Sequence, residues 1–108
     1  MPTAKTAASL YLEELLGSLG LTWTAEVQFH PLRKWRFDYV IENQPKTAIE
    51  IEGGTWGKSR HTTGRGYRGD LVKYNRATLL GWTLLRYTPD QLLSGATEAD
   101  LRELYKQE

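Results

Sequence analysis

The 108-residue chain contains no cysteine, which excludes disulfides and thiolate metal sites and makes a reducing compartment comfortable. No apolar run approaches the ~20 residues needed to span a bilayer, so no membrane partner is expected. Met1-Pro2-Thr3-Ala4-Lys5 is not followed by a signal-peptide core, and a cytoplasmic protein is the expectation. Low-complexity tracts and internal repeats are absent. Gly64-Arg65-Gly66 lacks the Gly-Lys-Ser/Thr ending of a P-loop. A marked charge imbalance is missing too, with 14 Lys and Arg against 13 Asp and Glu, so net charge alone names no partner. What is present is an ordinary globular composition, 40% hydrophobic, sized for one domain, 1–108, with a single modest core.

The charges are segregated along the chain. Lys58, Arg60, Arg65, Arg68, Lys73 and Arg76 share a segment with one acid, Asp70, and Arg33, Lys34 and Arg36 form a second basic cluster. The tail leans acidic through Glu98, Asp100, Glu103 and Glu108. Such basic segments suit the phosphates of a nucleic acid; the alternative is scattered solvated charge on loops.

Periodicity predicts the elements. Leu12, Leu15, Leu16 and Leu19 recur at helical spacing in 6–19, and Gly20 stops that helix. Residues 22–29 alternate as a strand ended by His30-Pro31. Arg36 to Ile41 and Thr47 to Glu52 read as a hairpin about Asn43-Gln44-Pro45. Residues 53–67, rich in Gly, Thr, Ser and basic side chains, are expected to form a long loop. A helix over 69–80 follows, with Leu71, Val72, Asn75, Leu79 and Leu80 on one side and Gly81 as its stop. The near-continuous apolar run 82–87 predicts a central strand, then a short helix starts at Pro89 and a last one covers 98–106. The order is α-β-β-β-α-β-α, a mixed sheet flanked by helices in an α/β layered domain.

The hairpin carries the chemistry. Side chains on a strand alternate faces, so Asp38 shares a face with Arg36, Val40 and Glu42, and Glu50 shares one with Ala48 and Glu52. A loop of Asn43 to Pro45 sets Val40 opposite Ala48, Asp38 opposite Glu50 and Arg36 opposite Glu52. Directly opposed residues have Cβ atoms about 4.5–5.5 Å apart, close enough for two carboxylates to grip one ion. Burying unpaired carboxylates costs several kcal/mol, and a divalent cation offsets more than one at once. The alternative is a solvated amphipathic hairpin with Arg36–Glu52 and Lys46–Glu42 as surface ion pairs.

The element order and the residues Trp35-Arg36-Phe37-Asp38, the run from Ala48 through Glu50, Glu52 and Gly54 to Trp56, Arg60-His61, Asp70 to Asn75, and Gly81-Trp82 through Arg86-Tyr87 together resemble the PD-(D/E)XK, restriction-endonuclease-like nuclease superfamily. Within it the chain is similar to very-short-patch-repair-type endonucleases and to small phage-type and viral replication-repair nucleases of the Holliday-junction-resolvase kind. The similarity covers roughly Leu10 to Thr88.

That resemblance implies a Mg²⁺- or Mn²⁺-dependent endodeoxyribonuclease in which Asp38, Glu50 and the backbone carbonyl of Ile51 ligate the ion, with Glu13 or Glu14 on the first helix as a further acid. Glu52 stands where the family motif has lysine, and Lys73 on the following helix is the candidate replacement. Glu52 could hold a second ion, and His61 is a candidate catalytic histidine or phosphate contact. Phosphate contacts are expected from Arg33, Lys34, Arg36, Lys58, Arg60, Arg65, Arg68 and Arg76, and base stacking or core packing from Trp56 and Tyr67. The implied partner is branched or duplex DNA, the implied assembly a homodimer, and the implied setting a bacterial or phage-infected cell. A mismatch or nicking repair endonuclease, a host-defence nuclease, and a non-catalytic DNA-binding domain that keeps the fold are the alternatives.

Overall fold

A computed structural model describes residues 6–52 and 64–105, with the side chains of 64–67 outside the description. Helix α1 (Ala7–Ser18) is followed by strands β1 (Trp23–Gln28), β2 (Arg36–Ile41) and β3 (Thr47–Ile51), helix α2 (Gly64–Leu79), strand β4 (Thr83–Tyr87) and helices α3 (Pro89–Leu93) and α4 (Ala96–Leu104). Thr6 caps α1 by accepting the Ser9 N–H. A reciprocal capping box between Thr88 and Gln91, with Pro89 in the first turn, starts α3. Among the described residues no helix is long and apolar enough to cross a membrane.

The four strands lie in the order β1-β2-β3-β4. β1 with β2 and β2 with β3 are antiparallel, whereas β3 and β4 are parallel, a pairing that needs a crossover and receives it from α2. The expected hairpin register is present, with Val40 opposite Ala48. Its turn is wider than three residues, running from Glu42 to Lys46, with Lys46 in the left-handed region at φ 44°. The Lys46 ammonium donates to the Leu80 carbonyl just past the end of α2, 2.7 Å away, and not to Glu42 as the solvated-hairpin alternative had it.

One core lies on the α1 side of the sheet, where Leu12, Leu15 and Leu16 meet Tyr39, Ile41, Ile49, Tyr87, Leu92 and Leu101. A second, on the α2 side, joins Phe37, Ala48 and Ala77 to Phe29, Val40, Trp82 and Leu84. Phe37 departs from simple alternation. It stacks on Phe29 with centroids 4.0 Å apart and meets Trp82 edge-on at 4.9 Å, away from Tyr39 and Ile41. The break coincides with Glu26, between the Ala25–Tyr39 and Val27–Phe37 pairs, whose φ of 58° is left-handed.

Three expectations are corrected. Helix α2 begins at Gly64, inside the stretch read as loop, because glycine and arginine there do not prevent a first turn. β4 is the edge strand of the described sheet; its apolar run reflects cover on both faces, Leu84 toward α2 and Leu85 toward the α1 side. The apolar side of α2 faces outward: Leu71, Val72, Leu79 and Leu80 are exposed, and the buried stripe is Asp70, Lys73 and Ala77. Glu50 explains the reversal. A buried carboxylate on the sheet recruits the helix face that carries a cation.

Candidate active site

The site lies where β2 and β3 part. Backbone pairing reaches Tyr39–Ile49, and past it each strand's carboxylate takes a backbone donor of the other strand. The Asp38 N–H donates to Glu50 Oε2 at 2.7 Å, and the Ile51 N–H donates to Asp38 Oδ2 at 2.8 Å. These reciprocal bonds hold two acidic groups side by side with fixed orientation. They also satisfy amides that would otherwise be orphaned at the end of the ladder.

Helix α2 supplies the opposing charge. The Lys73 ammonium sits 3.2 Å from Glu50 Oε1, and both residues are buried, 7% and 5% exposed. The spacing follows from geometry. From Ala77 back to Lys73 is about 6 Å along a helix, and from Ala48 on to Glu50 is about 6.6 Å along a strand. With small Ala77 and Ala48 letting helix and sheet approach, the two charged side chains fall in register.

Burial and the neighbouring Glu50 push the Asp38 carboxyl from 3.8 up to about 6, with Glu26 adding to the rise while the Ile51 N–H and Lys73 oppose it. A carboxylate pushed up this far by burial and a like-charged neighbour is poorly compensated by its own protein. Asp38 Oδ1 takes no hydrogen bond among the described residues. The donors are hard oxygens of the type Mg²⁺ and Mn²⁺ prefer, and two carboxylates suffice for an ion that keeps part of its water shell. The residues therefore fit such an ion. Among the described residues no group of three or more metal-ligating side chains is assembled.

Two residues here were missed in the sequence. The Tyr74 hydroxyl donates to Glu50 Oε1 at 2.8 Å, and the Arg86 guanidinium lies 4.1 Å from the centre of the Tyr74 ring. Burial and then the charge of Glu50 raise the Tyr74 hydroxyl well above its usual range, so it stays a donor. Arg86 sits beside Glu50 in the parallel ladder and pairs with Glu52 through Nε at 2.9 Å and Nη2 at 3.4 Å. Glu52 thus meets Arg86 and not Arg36, since Glu52 lies past the end of the β2–β3 pairing and alongside β4. A charge interrupting the apolar run 82–87 was the available signal for Arg86. Tyr74 had none, because its approach to Glu50 depends on how α2 is seated.

The other candidates are dispersed. Glu13 accepts the Tyr39 hydroxyl at 2.7 Å, on the α1 side of the sheet, and Glu14 is exposed. Ile51 is the exception: its N–H meets Asp38 in the site while it continues the β3–β4 ladder opposite Tyr87. Arg33, Lys34 and Arg36 are exposed at the end of the β1–β2 ribbon, and Arg68 and Arg76 are exposed on α2. Trp56, Lys58, Arg60 and His61, and the side chains of Arg65 and Tyr67, lie outside the described residues.

No family model matches the sequence, and no curated protein matches it. The structure is similar to a solved one, the "Homing Endonuclease I-Bth0305I Catalytic Domain", with a TM-score of 0.66 and 17% identity over 92% of each chain. At that identity the likeness shows the fold: this chain has a nuclease-like α/β architecture, a mixed four-stranded sheet flanked by helices.

Proposed function

We propose that this chain is a single-domain, Mg²⁺- or Mn²⁺-dependent endonuclease of the PD-(D/E)XK superfamily that hydrolyses DNA phosphodiester bonds. The observation that carries this reading is the pairing of Asp38 and Glu50 across the parted strands, with Lys73 on Glu50. The similarity to an endonuclease catalytic domain agrees with it. Asp38, Glu50 and the Ile51 carbonyl would hold the ion. Its chemistry is to acidify a bound water and to neutralise charge on the phosphate. Lys73 would place its ammonium near the attacked phosphate, stabilising charge as it develops. Tyr74 keeps Glu50 oriented, and Arg86 keeps Glu52 occupied.

The preferred substrate is branched DNA of the Holliday-junction kind, cut by a homodimer whose two-fold symmetry supplies two sites for two cuts. A nicking repair endonuclease is the nearest variant of this reading. One observation favours a second reading, a DNA-binding domain without turnover: Glu50 already accepts three donors, from Asp38, Lys73 and Tyr74. The test is incubation with plasmid and with a labelled four-way junction in Mg²⁺, Mn²⁺ or chelator. Metal-dependent cutting that disappears in Asp38→Ala supports the enzyme. Binding with no cutting in either metal supports the second reading, and no binding to any DNA removes both.

A further inference from the structure

We propose that the tip of the β1–β2 connection, Pro31-Leu32, is a wedge that enters a base step of duplex DNA beside the scissile bond. The inference rests on the nuclease reading and specifies how that site would engage its substrate.

Leu32 is 86% exposed, the most exposed large apolar residue described. A lone surface leucine is ordinary; its setting is not. Pro31 precedes it and Arg33 and Lys34 follow, with Arg36 just beyond, all exposed. The tip is therefore an apolar point rimmed by cations and without an acid of its own. It is also held in shape. The Gln28 side-chain amide donates to the carbonyls of His30 at 3.2 Å and Arg33 at 2.9 Å, bridging the turn from inside. The Leu32 N–H donates to His30 Nδ1 at 3.1 Å. Arg33 lies 4.1 Å from the centre of the Trp35 ring, whose other contacts are Phe29 and His30. A turn braced this way loses little further freedom on binding, so the exposed side chain is presented ready-made.

Position completes the argument. The connection joins the end of β1 to the start of β2, and Asp38 is only two residues inside β2. Arg36 is thus about 7 Å from Asp38 along the strand, and the tip projects farther out from the edge where Asp38 and Glu50 sit. DNA with a phosphate at that edge would meet the tip a few base pairs away. Apolar side chains entering a base step, flanked by phosphate-binding cations, are a recurrent way of unstacking and bending DNA. A bent or branched substrate already has loosened stacking, and the wedge would favour it.

The experiment places 2-aminopurine at successive positions of a duplex and of a four-way junction, with the protein in chelator so that nothing is cut. Binding is followed separately by anisotropy, and cutting in Mg²⁺ or Mn²⁺. Wild-type protein should raise the fluorescence severalfold at one step. Leu32→Ala should abolish that rise while keeping DNA affinity within about tenfold, since the phosphate-contacting cations remain, and Leu32→Phe should restore it. Circular dichroism checks that each variant is folded. An equal rise in wild type and Leu32→Ala, or no rise in a wild-type protein that binds and cuts, overturns the wedge and leaves the nuclease reading standing. Leu32-dependent unstacking without cutting in either metal refutes the nuclease reading and overturns the wedge as placed beside a scissile bond, leaving a DNA-distorting tip on a non-catalytic domain. Failure to bind DNA, or Leu32-dependent binding to lipid vesicles instead, overturns the wedge.

Discussion

Replacing Asp38 by asparagine should stabilise the metal-free protein at neutral pH while abolishing cleavage. Folding moves the Asp38 carboxyl from 3.8 to about 6, through burial first and the charge of Glu50 second. At about 1.4 kcal/mol per pH unit this corresponds to roughly 3 kcal/mol by which the ionised group opposes folding. Solvent around the partly exposed carboxylate brings that to about 2 kcal/mol. The sign follows from linkage. A group whose pKa is higher in the folded protein favours folding most when protonated. Its contribution is full below 3.8, is lost as the pH rises to about 6, and stays lost above. The asparagine amide carries no such charge, and its oxygen can still accept the Ile51 N–H. Urea unfolding in chelator should therefore find the variant about 2 kcal/mol more stable near pH 8 and nearly equal to wild type near pH 4. Added Mg²⁺ or Mn²⁺ should stabilise the wild type and not the variant. A variant equally destabilised at both pH values would refute the idea that Glu50 and burial hold Asp38 in an unfavourable state.

The remaining expectations concern the groups around Glu50 and the outer face of α2. Lys73→Met should cost about 3 kcal/mol by stranding a buried carboxylate, and adding Glu50→Gln should recover part of that loss; strict additivity in the double-mutant cycle would show that the pair is not coupled. In cleavage assays Lys73→Met should lower the rate far more than DNA affinity, and an effect on affinity alone would make Lys73 a phosphate contact only. Tyr74→Phe removes one hydrogen bond and should cost about 1 kcal/mol while weakening metal-dependent stabilisation; unchanged metal titrations would limit Tyr74 to packing. Leu79, 71% exposed, should tolerate Ala within about 0.5 kcal/mol in thermal unfolding of dilute protein, and a larger loss would mean that this face is covered in solution.

Local patterning sufficed for the element order, for the β2–β3 register and for the meeting of Asp38 with Glu50. Strand period and hairpin symmetry link those residues within a short stretch of chain, so position along the sequence nearly fixes position in space. Lys73 was reached differently, through the resemblance, which implies a cation on the helix that follows the acidic strand. The rest needed tertiary structure, because it depends on how distant elements seat against each other. The apolar stripe of α2 pointed the wrong way, since a buried carboxylate outweighed hydrophobic periodicity in choosing the face that meets the sheet. Tyr74 reaches Glu50 only in that seating, and Arg86 reaches Glu52 only because β4 pairs in parallel with β3. Composition and spacing alone decided that two acids would stand together in an α/β fold; the packing of α2 and β4 decided which donors surround them, because those contacts join residues more than twenty positions apart.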